Sequence, residues 1–387
     1  MQREGNVAGV GVDVHYKFSQ VTMRDAAGHV VGRERLEHPD REVLRQRLAA
    51  WPKGVPVVLE ASFGWGWLSD LMEQAGLDPH LANCYKVERM RQARDPAKTN
   101  RKDADLLAQL PLEPTRWWEV WRAPPEVRDR REWMRYRADV VAMHVRVKNQ
   151  VHALFHRHGI FHSFSDLFGA AGRRFLAALC ELGRHAGGEL PEGTLEALRG
   201  LVKTSQYLRD RLAEATRRLR LDLERDELTQ RMMKVPGIGL ILAHVIQAEV
   251  GEIGRFRHHG ALASYACLAP RSADTGEADP KRAPLGRHLG DRGNRTLKWA
   301  FIEAAHGAVR SGGKWRRMFD RATENGRRDR GRAYVKVARE LVKVVFVVWR
   351  RGVEYTESPP PRPGSRRRRR EDARPGTGQP CRPMVTA

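Results

Sequence analysis

The feature that most limits how this chain can fold is a change of apolar period at Pro124-Pro125. Before that pair the hydrophobic residues come in short strand-like bursts, VAGVGVDV, FSQVTM and HVVGRERL, with turn chemistry at Arg24-Asp25-Ala26-Ala27-Gly28. This pattern predicts three successive antiparallel strands between Val7 and Leu36. Helices are expected at Glu42 to Trp51, Trp67 to Ala75 and Lys102 to Leu110, with further strands at Val55 to Glu60 and Asp78 to Cys84. Strands that precede helices make an α/β layer. After the prolines, Val127 to His158 and Leu201 to Leu228 repeat apolar positions every three or four residues, the mark of long amphipathic helices. Two such helices pair as a hairpin or coiled coil, with residues 159–200 as a helical insertion, and a spacer of that kind can also dimerise. A compact helical unit is expected from Met232 to the helix Lys336 to Arg351.

Four units follow: an α/β domain over 5–124, a helical coiled-coil spacer over 125–230, an all-α domain over 231–355, and a basic tail over 356–387. The tail holds five consecutive arginines among Pro and Gly, and is expected to be disordered. The formal charge of the 387-residue chain is +23, and its last thirty residues carry about +6 of it, so the ordered body is itself strongly cationic. Excess positive charge points to a polyanionic partner, nucleic acid first. The scattered Cys84, Cys180, Cys267 and Cys381 form no CxxC pair, which argues against a disulfide scaffold or zinc module and for reduced thiols in the cytoplasm. The start has no secretory h-region and the apolar run Leu341 to Trp349 is short and broken by Lys343, so no membrane segment is expected.

Asp13 interrupts the first strand between Val12 and Val14, and Glu60 ends VPVVLE. A carboxylate in such a place needs a partner or a metal. Asp103 follows the run Lys98-Thr99-Asn100-Arg101-Lys102 at a helix start, where a carboxylate can also simply face the helix dipole. If the two strands neighbour each other and the helix packs over their ends, three carboxyl groups converge. All-oxygen ligands select Mg²⁺ or Mn²⁺, and a pair of such ions could assist cleavage of a phosphodiester.

The segments GVDVHYKFSQVTM, VVLEASFGWGWLSDLMEQAGLDPHLANCYKVERM, KTNRKDADLLAQL, VPGIG and RGNRTLKWAFIEAA, in that order, resemble the IS110 family of insertion-sequence transposases. That resemblance implies a RuvC-like (RNase H-like) N-terminal domain with a DEDD carboxylate set, then the spacer and a C-terminal transposase domain. Asp13 matches the first Asp, Glu60 the Glu and Asp103 the last Asp, while Asn100 stands where the third acidic residue falls. An amide offers an oxygen ligand but neither charge nor basicity. Asp105 is turned off the Asp103 face of the helix and is not expected to replace it.

Pro236-Gly237-Ile238-Gly239 before the apolar helix Leu240 to Val250 has the form of a helix-hairpin-helix turn, in which Gly237 and Gly239 let the backbone approach phosphates; a tight turn between core helices is the alternative. The stretch Leu268 to Gly276 resembles the family's loop with a nucleophilic serine before glycine. Thr275 occupies that place here and Ser272 is the second candidate; an ordinary polar loop would also carry such hydroxyls. Arg271, Arg282, Arg287, Arg292, Arg295 and Lys298 are expected on phosphates. Trp117, Trp118 and Trp121 suit core or interdomain packing, with stacking on bases as the alternative. The resemblance further implies double-stranded DNA as substrate, a structured guide RNA, and a homodimer pairing to a tetramer. Two rival readings are a RuvC-like metal-dependent nuclease without a covalent intermediate and a catalytically decayed nucleic-acid-binding relative.

Overall fold

The computed structural model describes residues 6–94, 100–113, 115–269, 289 and 293–357, with backbone only at 94 and 100. The tail expected over 356–387 lies outside them from residue 358 onward. Strands β1 (Val7–Val14), β2 (Phe18–Asp25) and β3 (Val30–Glu37) form the expected antiparallel meander. Helix α1 (Arg41–Ala49), strand β4 (Pro56–Glu60), helix α2 (Trp65–Gln74) and strand β5 (Asp78–Ala82) follow. Helices α3 (Cys84–Arg94) and α4 (Asn100–Leu107) and the two-residue strand β6 (Glu119–Val120) complete the layer. The sheet order is β3-β2-β1-β4-β5-β6, with β1, β4 and β5 mutually parallel and the rest antiparallel. It is a mixed sheet. Asp40 caps α1 by accepting from the Glu42 and Val43 amides, and Leu44 and Leu48 turn that helix onto the sheet.

The two faces of the sheet hold separate cores. Val10, Val12, Val21, Leu59 and Leu81 pack with α1 and α2, whereas Val58 and Ala82 pack with Val87, Leu106, Leu107, Leu110 and Trp118. Trp118 is wholly buried and its indole N–H donates to the Leu110 carbonyl, so this tryptophan is core.

Beyond the prolines the chain is mainly helical. Helix α5 (Pro125–Arg157) and helix α7 (Glu192–Leu223) run antiparallel: Met134 meets Leu219, Val140 and Val147 meet Leu208, and Val151 and Leu154 meet Leu198. Pro124 and Pro191 stand at their N-caps, where a missing N–H costs nothing. The expected insertion over 159–200 is shorter than anticipated. It comprises α6 (Ala170–Leu182) and the small hairpin β7 (Arg184–His185) and β8 (Gly188–Glu189), because α7 already starts at Glu192. The second long helix also stops early. Asp226 accepts from the Leu228 and Thr229 amides and so starts a new helix, α8 (Glu227–Met233), where continuous helix to Leu228 was expected.

Helices α9 (Leu240–Val250), α10 (His259–Tyr265), α11 (Arg295–Arg310), α12 (Gly313–Thr323) and α13 (Arg330–Arg351) enclose the third core. Its centre is α9, α11 and α13, but Met134 of α5 and Leu219 of α7 belong to it as well. The long hairpin is therefore rooted in the C-terminal core. Among the described residues, no helix is long and apolar enough to cross a membrane.

Candidate active site

Parallel pairing of Val10, Gly11 and Val12 with Val57, Val58 and Leu59 carries Asp13 alongside Glu60 at the C-terminal ends of β1 and β4. Residues in register on parallel strands share a face, so both carboxylates rise on the side of Gly11 and Val58. That is the face which α4 covers. A Cβ on Gly11 would lie 2.2 Å from the Ala108 amide nitrogen and 2.4 Å from the Ala104 carbonyl, and one on Gly9 would lie 3.0 Å from Pro111. The two glycines thus let a helix backbone lie directly on a strand.

Along β1 from Gly9 to Gly11 the contacts step back from Pro111 and Ala108 to Ala104, so α4 runs antiparallel to β1. Two strand residues advance about 6.6 Å and one helical turn about 5.4 Å. One further step places Asp13 beneath the first turn of α4, which holds Asn100 and Asp103. A carboxylate inside the strand-like burst VAGVGVDV and one closing the apolar run VPVVLE located Asp13 and Glu60, whereas the docking of α4 rests on Gly9 and Gly11, whose signal, glycine inside a strand, is present in GVG.

The carboxylates meet protein donors there. Asp13 accepts from His15 Nε2 at 3.0 Å, and Asp103 lies 3.9 Å from Arg91 of α3, each with only 15% of its side chain exposed. Arg91 is bonded to Glu88 and also feels the charges of Asp103 and Glu60. Glu60 is hydrogen-bonded to the Cys84 thiol. Burial, then the Glu60 charge, pushes that thiol up to about 11, so Cys84 stays protonated at neutral pH. Among the described residues no three or more His, Cys, Asp or Glu side chains are grouped as a metal ion would require. The backbone gathers Asp13, Glu60 and Asp103 at one end of the sheet, while their oxygens are divided among His15, Cys84 and Arg91. Mutual repulsion of three mostly buried carboxylates favours that division.

Asp105 faces the other way along α4. It accepts from Thr22 Oγ1 at 2.7 Å and from Arg33 at 2.9 and 3.2 Å, and Arg24 donates to its carbonyl. Burial raises its carboxyl, but the bonds from Arg33 and Thr22 and the charges of Arg33 and Arg24 outweigh that and hold it below the usual carboxylate range. It latches α4 to the meander.

In the C-terminal unit, Gly237 has φ +86°, and a Cβ there would lie 2.0 Å from the Ala304 carbonyl of α11. Gly307 faces it with similar closeness. Gly237 is thus held in a tight turn directly against α11. Gly239, the N-cap of α9, opens to solvent with room around it.

The segment that carries Ser272, Thr275, Arg271, Arg282, Arg287 and Arg292 lies outside the described residues, but both of its roots are described. The Leu268 amide donates to Ala263, and the Asn294 amide donates to the Tyr265 carbonyl at 2.7 Å. Gly293 packs so tightly that a Cβ would lie 2.9 Å from Cys267 Sγ. The chain on either side of this segment thus leaves from one point. Arg295 and Lys298 sit in the first turn of α11 beside it, with the exposed Trp299.

One residue that sequence reading missed ties this point to the spacer. Glu249 of α9 is wholly buried, and Arg135 of α5 grips its two oxygens at 3.0 Å each. Asn294 donates to the same carboxylate at 2.6 Å while its own oxygen caps α11 at the Leu297 amide. Arg131 adds bonds to the Ala248 and Glu249 carbonyls. A lone acid in LILAHVIQAEV was the available signal. Trp121 completes the junction, in contact range of Gly251 and beneath the Arg131 and Arg255 guanidinium groups.

The DEDD transposase profile of IS110 matches residues 10–160, and the profile described as the transposase IS116/IS110/IS902 family matches residues 229–320. A transposase for insertion sequence element IS1328 from Yersinia enterocolitica is 25% identical over 303 residues, which cover 78% of this chain and 83% of that protein. An uncharacterized 43.6 kDa protein of insertion element IS110 from Streptomyces coelicolor is 30% identical over 138 residues, 36% of this chain and 33% of that protein. The two profiles fall on the halves that hold the carboxylates and the Gly237 turn. The chain belongs to the IS110 family of transposases.

Proposed function

We propose that this protein is a DNA transposase of insertion-sequence type, with a RuvC-like N-terminal domain that binds Mg²⁺ or Mn²⁺ and a C-terminal domain that supplies a hydroxyl nucleophile. The observation that carries the reading is the placement of Asp13 and Glu60 on adjacent parallel strands, beneath the helix turn of Asn100 and Asp103. The sheet order, an antiparallel meander followed by parallel strands, suits an RNase H-like layer.

The donor set is hard oxygen, as these cations require, and Asp13, Glu60 and Asp103 would hold the ion once it displaces His15 and Arg91 from them. Bound there, the cation supplies charge stabilisation to a phosphodiester under attack. Asn100 adds an amide oxygen in place of a fourth charge. The hydroxyl of Thr275, with Ser272 as the second candidate, would attack phosphorus while the strand's leaving oxygen departs with the bonding pair and a proton. Arg295 and Lys298, with Arg271, Arg282, Arg287 and Arg292, fit phosphate neutralisation on double-stranded DNA, as does the net charge of +23.

By its family this chain would act in the cytoplasm with a structured guide RNA, as a dimer pairing to a tetramer. The domain limits 5–124, 125–230, 231–355 and 356–387 are part of the same proposal. Trapping on a suicide DNA substrate tests it: mass spectrometry should find DNA on Thr275 or Ser272. Cleavage that survives Thr275→Ala combined with Ser272→Ala would instead establish the nuclease reading.

A further inference from the structure

A cavity of about 190 Å³ opens between α5, α6 and α7, far in sequence from the carboxylates. Lys148, Arg173 and Arg209 line it with His144, Ser205 and Gln206, and none of the lining residues is acidic. Its remaining wall is apolar, with Phe168 and Leu176 both buried. We propose that this cavity binds a backbone phosphate of a single-stranded nucleic-acid segment.

Charge and shape both support this occupant. Three cations from three different helical segments share one small concavity, an arrangement that is repulsive by itself and relieved by an anion. The field is strong enough to act on a neighbour: burial first, then Lys148 and Arg209, push His144 below the ordinary histidine range. His144 Nε2 lies 3.0 Å from the buried Ser205 hydroxyl, which fixes both polar groups at the wall. Arg173 is positioned by donating to the Phe168 carbonyl at 2.8 Å, and Lys148 Nζ rides 5.1 Å from the centre of the Phe168 ring. A phosphate on these cations would lay its sugar or unstacked base edge against Phe168 and Leu176. A stacked duplex keeps those apolar edges turned inward, so the apolar wall favours a single strand or loop. Asp210 pairs with Arg209 at 3.4 Å on the exposed side and does not line the cavity.

The site is independent of metal and nucleophile, so the test is made on the full chain in EDTA, where failure of the carboxylate reading has no effect. Affinity for a mixed-sequence RNA oligonucleotide, its single-stranded DNA counterpart and duplex DNA is measured against salt by fluorescence anisotropy. The double variant Lys148→Gln, Arg209→Gln should bind single strands about five- to tenfold more weakly, with the salt slope reduced by about 0.7, the value for one phosphate. Arg146→Gln with Arg217→Gln, an equal charge loss at exposed positions on the same two helices, should leave the slope unchanged. Whichever single strand shows the larger loss identifies the source of the phosphate. In the unmutated chain, where folding is not in question, a bound strand should protect Lys148 from amine acetylation more than the exposed Lys203. Equal losses in both double variants, no loss in either, or an unprotected Lys148 would overturn the proposal. So would protection of Lys148 by inorganic phosphate with strand affinity unaltered, or by duplex DNA as fully as by single strands.

Discussion

Glu249 shows how one side chain can decide the relation of two parts of this molecule. Its carboxylate is wholly buried, held by Arg135 from the spacer and by Asn294 at the root of the segment that carries Thr275. Glu249→Ala removes the acceptor and leaves Arg135 and Asn294 donors facing a cavity. The expected cost is about 3 kcal/mol, the lower end for a broken buried pair because Arg135 is half exposed and can reach water. Chemical denaturation of the full chain would measure it; a loss near zero would mean that the network is not structural. Asp105 supports a pH prediction. Its carboxyl is held below 3.8, so its latch on Arg33 and Thr22 stabilises the fold above that value and is lost as pH falls through the lowered folded value. In Asp105→Asn the acid-side loss of stability should be smaller than in the parent chain, read from melting temperature against pH.

Among the elements, α4 is the one on which the catalytic reading turns, and glycine sets its height above the sheet. Gly11→Ala would force a methyl to within 2.2 Å of helix backbone, so α4 must rise or shift. The expected result is a destabilisation of about 2–3 kcal/mol and loss of divalent-dependent activity, although no acid has been altered. Retained activity would show that Asp103 need not be near Asp13. How much of this could be read beforehand depends on the kind of signal. The strand bearing Asp13 was legible because a two-residue period survives in VAGVGVDV, the one bearing Glu60 because VPVVLE is a short apolar run, and α9 because the mainly apolar stretch LILAHVIQAEV ends at Gly251. The stop of α7 was not, since Asp226 reads equally as a helical surface residue until its carboxylate is seen capping α8. The Gly237 turn was legible as a turn, but its close approach to Ala304 depends on α11, whose partners are distant in sequence. Glu249 was overlooked because its counter-charges lie more than a hundred residues upstream and its amide donor 45 residues downstream.

At the scale of the whole molecule, the spacer hairpin is rooted in the C-terminal core through Met134 and Leu219, and Trp121 seats the end of the first domain against Gly251. The two halves that the family profiles match are thereby joined by packed side chains as well as by the chain itself. The proposed function turns on whether the carboxylate end of the sheet takes up a cation. The most direct test is binding of Mn²⁺ to the full chain, followed by the loss of the free-ion electron paramagnetic resonance signal, with Mg²⁺ as competitor. The account predicts uptake that Mg²⁺ displaces and that Asp13→Asn, Glu60→Gln or Asp103→Asn each weakens at least about tenfold. Uptake that is equal in the parent chain and all three variants, or absent from the parent chain, would contradict it.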